Sequence, residues 1–197
     1  MSVTLEQIQK LRERTGLGMM DCKKALLEAN SDIEKAIEIL RKKGSLIAEK
    51  RCNNSTSQGI VHSYIHAGAQ LGVLLEVNCE TDFVSRNDAI KQLAHDICMH
   101  IAVLRPSCIS SEGLDKEKLE KEKDIHRALL IKENKPANMI EGIVEGKLKK
   151  YYEEHCLLNQ KFIKNDKITI EELIKETISK VGENIKLNRF ARYEIGS

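Results

Sequence analysis

From position 71 the chain alternates. Leu71, Val73, Leu75 and Val77 fall on one side of an extended backbone, and Gly72, Leu74, Glu76 and Asn78 fall on the other. A strand with one apolar face has to be covered on that face, and a lone strand cannot satisfy its backbone, so this run excludes an all-helical chain. The preceding run, Gly59 to His66, is also strand-like, and Ala67-Gly68-Ala69-Gln70 supplies a four-residue loop, which predicts a hairpin. A two-stranded ribbon is marginal in water. The alternation that returns from Ile185 to Ile195, interrupted near Arg189 and Phe190, predicts a third strand that covers one edge.

Elsewhere the period is helical. Thr4 and Gln7 form a capping pair before Leu5, Ile8 and Leu11, and this first helix ends at the turn Thr15-Gly16-Leu17-Gly18. A second helix is predicted from Met19 to Ala29 with Asn30 as its stop. Ser31 and Glu34 then cap a third, whose stripe Ile33, Ala36, Ile37 and Leu40 runs to Gly44. Residues 1–44 are therefore expected to form a small three-helix bundle. Residues 45–58 are polar and read as a linker whose first turn can extend the third helix. Residues 59–197 are expected to form an α+β domain, a small antiparallel sheet with packed helices. Its helices are predicted from Asn87 to near Pro106, at 115–134 and 137–157 on either side of Pro136, and from Thr169 to Gly182.

Composition narrows the chemistry. Lys and Arg total 32 against 30 Asp and Glu, interleaved along the chain, so no basic field is left to neutralise a phosphate backbone, which argues against nucleic acid as the main partner. The six cysteines, at 22, 52, 79, 98, 108 and 156, include no CxxC pair and read as free thiols in a reducing, cytoplasmic setting. No N-terminal apolar segment suggests export, and no apolar run is long enough to cross a bilayer. Neither GxxxxGK[ST], GxGxxG nor HExxH occurs, so no nucleotide, metal or other cofactor is expected. His62 and His66 on one strand face, and His95, Cys98 and Met99 on one helix face, lack further ligands at metal spacing. Cys79 precedes a helix start, which favours a thiolate, but no nucleophile signature surrounds it.

Two features resist assignment to a core. Met19 and Met20 are adjacent on a helix, so with Cys22, Leu26 and Ala29 also apolar at least one methionine is expected at the surface, where its thioether suits an adaptable contact. The other is Phe83 in Cys79-Glu80-Thr81-Asp82-Phe83-Val84-Ser85-Arg86-Asn87-Asp88. Counted back from Ile90 on a continuous helix, its ring lies on the buried stripe. Two cap residues, Thr81 and Asn87, instead suggest a short turn and a new start, which would free the ring to face outward.

The segments LRERTGLGMMDCKKALLEANSDIEKAIEILRKKG (11–44), IVHSYIHAGAQLGVLLEVNCETDFVSRND (60–88), VEGKLKKYYEE (144–154) and GENIKLNRFARYEIG (182–196) resemble the elongation factor Ts family, the guanine-nucleotide exchange factors of elongation factor Tu. The resemblance implies a ubiquitin-associated-like N-terminal bundle, a flexible link and a core that docks on the partner GTPase. It implies that Asp82 and Phe83 reach the G domain of elongation factor Tu near its Mg²⁺ and phosphates, and that Arg12, Met19 and Met20 pack on another helix of that domain. Only one core hairpin is present. That matches the short form, for which the family suggests a homodimer in a two-to-two complex, with His66 a further candidate contact. A ubiquitin-associated-like adaptor without exchange activity is the alternative, and an enzyme using Cys79 stands third.

Overall fold

The computed structural model describes residues 3–133 and 135–196. In chain order the elements are α1 (Leu5–Thr15), α2 (Met19–Glu28), α3 (Ile33–Arg51), β1 (Gln58–Ile65), β2 (Leu71–Cys79), α4 (Asp82–Ser85), α5 (Asp88–Leu104), α6 (Lys116–Lys132), α7 (Ala137–His155), β3 (Lys161–Phe162), β4 (Asn165–Thr169), α8 (Ile170–Val181) and β5 (Ile185–Glu194). The fold is α+β, with a three-stranded antiparallel sheet in the order β1-β2-β5 and β2 at its centre. Position 134, where the sequence ends the first of the two Pro136-flanking helices, lies outside the described residues. Among them, no helix is long and apolar enough to cross a membrane.

The chain divides into two compact units, the first made of Met1–Val61, Glu76–Ala94 and Glu172–Lys186. Here α1, α2 and α3 enclose Ile8, Leu11, Cys22, Ala25, Leu26, Ala29, Ala36 and Leu40. The N-terminus of α1 is closed reciprocally: the Gln7 amide donates to Thr4 Oγ1 at 3.3 Å, and the Thr4 amide donates to Gln7 Oε1 at 3.0 Å. Its far end stops at Gly16, where φ is +68° and the amide donates to the Arg12 carbonyl at 2.7 Å.

Two sequence expectations change here. Asp32, not Ser31, caps α3, with Oδ1 accepting from the amides of Glu34 and Lys35 at 3.0 and 3.1 Å. Ser31 is unavailable because Asn30 and Ser31 both take left-handed φ, at +52° and +68°, and together turn the chain back. Nor does Gly44 end α3, which continues to Arg51. Gly44 is buried because α8 passes close by: a methyl group on it would lie 3.1 Å from both Cβ and Oγ of Ser179. Arg41 Nε and Glu176 Oε1, 3.2 Å apart, form an ion pair between the same two helices. The missing side chain marks a helix contact, which a reading along one helix takes for a stop.

The second unit comprises His62–Leu75, His95–Glu171 and Leu187–Ser197. On β2 the predicted alternation appears as buried Val73 and Leu75 on either side of exposed Leu74. The helices α6 and α7 pair around Leu130, Val144 and Leu148, and Arg127 reaches Glu141 with Nε at 2.8 Å and Nη2 at 3.0 Å. The hairpin β3–β4 has no counterpart in the sequence expectation. It is anchored by buried His100, whose Nδ1 accepts from the Ile163 amide at 3.4 Å while Nε2 donates to Gln160 Oε1 at 2.9 Å. Burial holds the His100 pKa below its ordinary value, consistent with this neutral tautomer.

A branched side chain at position 44 should wedge α3 away from α8. Gly44→Val is expected to cost about 1–3 kcal/mol, read as a lowered denaturation midpoint. A midpoint equal to that of the parent would mean that the helices do not pack closely at Ser179.

Candidate partner-docking site

The turn after β2 is fixed before Phe83 is reached. Cys79 is buried and its Sγ donates to the Thr81 carbonyl at 3.1 Å. The Glu80 carboxylate accepts from the Asn184 amide at 2.6 Å, from Asn54 Nδ2 at 3.0 Å and from Arg51 Nη1 at 3.2 and 3.3 Å. Asn184, itself buried, donates through Nδ2 to the carbonyls of Asn54 and Cys52 at 3.0 and 3.3 Å. Thr81 is held by Glu183, which accepts its backbone N–H at 3.0 Å and its hydroxyl at 2.7 Å. The end of α3, the residues after it, β2 and the approach to β5 thus meet on two carboxylates.

From this base α4 makes a single helical turn. The Val84 amide donates to Thr81 Oγ1 at 3.4 Å, and Ser85 Oγ donates to the Asp82 carbonyl at 2.7 Å. The helix then breaks: Asn87 Oδ1 accepts from the Ala89 amide at 2.9 Å and α5 starts afresh at Asp88. The break removes Phe83 from the stripe that carries buried Ile90, Leu93, Ala94 and Ile97. Its ring is 81% exposed, against the continuous-helix geometry and in line with the capped turn. Beside it, Asp82 Oδ2 accepts from Arg86 Nη2 at 2.8 Å.

Arg12, Met19 and Met20 belong to the same unit as Asp82 and Phe83. Arg12 is exposed near the end of α1, and Met19 and Met20 open α2 with 42% and 63% of their surface exposed. Gly18 precedes them as a cap without a side chain, so both thioethers lie on the first turn. His66 belongs to the other unit and is exposed, with Nδ1 and the Tyr64 hydroxyl 2.9 Å apart. His62 Nε2 and His95 Nδ1 lie 3.4 Å apart, and no group of three or more metal-ligating side chains occurs among the described residues. Cys79 is no activated nucleophile: burial, followed by the negative charges of Glu183, Asp82 and Glu80, pushes its thiol up. Sequence reasoning missed Glu80, Glu183 and Asn184, because the contacts they make span about a hundred positions and no local period announces them.

The fold and this turn define an α+β protein that displays apolar side chains on braced backbone, a form suited to engaging another macromolecule. A family model described as elongation factor TS matches residues 5–197. The elongation factor Ts of Carboxydothermus hydrogenoformans is 52% identical over 194 residues, covering 98% of this chain and 89% of that protein. That of Koribacter versatilis is 55% identical over 196 residues, 100% of this chain and 90% of the relative, and that of Fervidobacterium nodosum is 50% identical over 196 residues, spanning both chains in full. The chain belongs to the elongation factor Ts family and is a translation elongation factor.

Hydrogen bonds to Glu80, first from the Asn184 amide and then from Asn54 and Arg51, hold its carboxyl below the ordinary value of 4.5. A depressed carboxylate contributes stability that is fully present above its unfolded pKa and is lost as pH falls through the folded one. Denaturant midpoints should therefore decline below about pH 4.5, and Glu80→Gln should flatten that decline while lowering stability at pH 7. An unchanged acid limb in the variant would remove Glu80 from the brace.

Proposed function

We propose that this protein is a guanine-nucleotide exchange factor for elongation factor Tu, binding the GTPase and promoting GDP release by displacing elements around its Mg²⁺ and phosphate site. The observation that carries this reading is Phe83, a ring 81% exposed on a turn braced through Thr81 and Glu80. An exposed aromatic gains its free energy only when a partner covers it, and a fixed base lets it push rather than yield. Asp82 is the polar contact beside it. Arg12, Met19 and Met20 form a second contact on the bundle of α1, α2 and α3, a ubiquitin-associated-like module, and residues 59–197 make the partner-binding and dimerising core. His66 is assigned to a separate domain of the partner.

The energetics require leverage. Nanomolar GDP binding corresponds to about 12 kcal/mol, whereas burying one phenylalanine yields about 2–3 kcal/mol. The wider interface supplies the remainder, and the ring acts where a small displacement matters most. Mg²⁺ tolerates little departure from octahedral geometry, so shifting a helix that positions its ligands weakens metal and phosphate binding together. By linkage, a factor that lowers nucleotide affinity is itself displaced by nucleotide in the same ratio, so incoming GTP completes the cycle. No bond is made or broken by this protein, and it needs no cofactor. Its place of action is the cytoplasm, where elongation proceeds.

The core is proposed to dimerise, giving a two-to-two complex. Ile65 on β1, Leu74 on β2 and Tyr193 on β5 are 63%, 46% and 70% exposed on neighbouring strands, and an apolar sheet face of this kind suits a second copy.

Phe83→Ala should leave the melting curve intact and slow stimulated GDP release from elongation factor Tu by about 30-fold or more, the rate equivalent of 2–3 kcal/mol. Normal exchange by this variant would eliminate the wedge, and failure of the parent to bind nucleotide-free elongation factor Tu in calorimetry would favour an adaptor built on the bundle. For the dimer, Tyr193→Glu is expected to give a monomer in light scattering; a parent that already runs as a monomer would refute that arrangement.

A further inference from the structure

Cys108 and Cys156 lie side by side in the second unit, with their sulfurs 3.6 Å apart. Backbone pairing sets this proximity: the Cys108 amide donates to the His155 carbonyl at 3.3 Å, and the Leu157 amide donates to the Cys108 carbonyl at 2.9 Å, making an isolated parallel bridge between the two cysteines. Bridge-paired residues have Cα atoms about 5 Å apart, within the 4.4–6.8 Å range that disulfides span. Both side chains project to the same side, since the Cys108 thiol donates to the Cys156 sulfur. Side-chain rotation alone has to bring the sulfurs together.

We propose that Cys108 and Cys156 are an oxidative modification site, forming an intramolecular disulfide when the protein meets a peroxide. Cys108, 8% exposed, is the entry point, and Cys156 is fully enclosed. As thiolate, Cys108 attacks one peroxide oxygen; the O–O bond breaks, the sulfur becomes a sulfenic acid and the released hydroxide takes up a proton to leave as water. Cys156 then attacks that sulfur, the S–S bond forms, the S–O bond breaks and a second water leaves. Two thiols lose two electrons and one peroxide gains them. Burial pushes the Cys156 thiol up to about 12, so little of it is thiolate and the closing step is slow.

The consequence is mechanical. Positions 108 and 156, 48 apart in the chain, bracket the paired helices α6 and α7, so the bond closes a loop around the Leu130, Val144 and Leu148 core. Closing so long a loop restricts the unfolded chain.

The test uses the full chain carrying Cys52→Ser, which removes the exposed thiol. After incubation with hydrogen peroxide, alkylation and proteolysis, mass spectrometry should find a peptide pair joining Cys108 to Cys156, lighter by two hydrogens and separated by dithiothreitol. The melting temperature should rise by about 4–10 °C on oxidation, and further replacement of Cys156 by Ala should abolish both changes. If that variant does not fold, the peptide map of the Cys52→Ser chain decides alone. Alkylatable Cys108 and Cys156 after exposure, a linkage to another cysteine, or sulfonic acid at Cys108 without a bond would overturn the proposal.

Discussion

Glu80 gathers three parts of the chain onto one carboxylate: the last residue of α3, the segment just beyond it, and the residue before β5. Few single groups in a protein accept so many donors, and hydrogen bonds to an ionised carboxylate are stronger than those between neutral groups. The arrangement therefore forms as a set. Thr81 takes its orientation from it and from Glu183, α4 takes its start from Thr81, and Phe83 takes its exposure from the shortness of α4. A chain of dependencies turns a half-buried polar cluster into a displayed apolar ring.

The side chains around the turn act as hydrogen-bonding supports. The thiol nearest the turn, Cys79, is kept protonated by burial and neighbouring carboxylates and spends its hydrogen on the Thr81 carbonyl. It serves as one more strut.

Much of the fold was legible because the relevant forces are local. The Thr4–Gln7 box, the left-handed stop at Gly16, the alternation along β2 and the stripe of α5 are each written within a few residues, and each appears where periodicity places it. Legibility failed where the deciding partner is distant. Gly44 resembles a helix terminus until Ser179 of α8 is seen against it. Ser31 has the chemistry of a cap, but a backbone reversal hands that role to Asp32. The hairpin β3–β4 is too short to show a period and depends on His100, some sixty positions earlier. Phe83 lies between: the helical pattern alone favours a buried ring, and only the two caps, Thr81 and Asn87, allow the exposure that the structure shows.

The ring of Phe83 is displayed by a backbone that is already ordered, and this bears on timing rather than strength. A recognition element that must fold on contact adds a slow step to every encounter and loses much of its interaction energy to ordering. In the docking proposed above, Phe83 needs no folding on contact, so association is limited by orientation, the regime in which protein pairs associate at about 10⁵–10⁷ M⁻¹s⁻¹. Differences in how long such a complex lasts then fall on dissociation. For the proposed exchange factor, residence is then adjusted at the rim of the contact without disturbing the turn that carries Phe83.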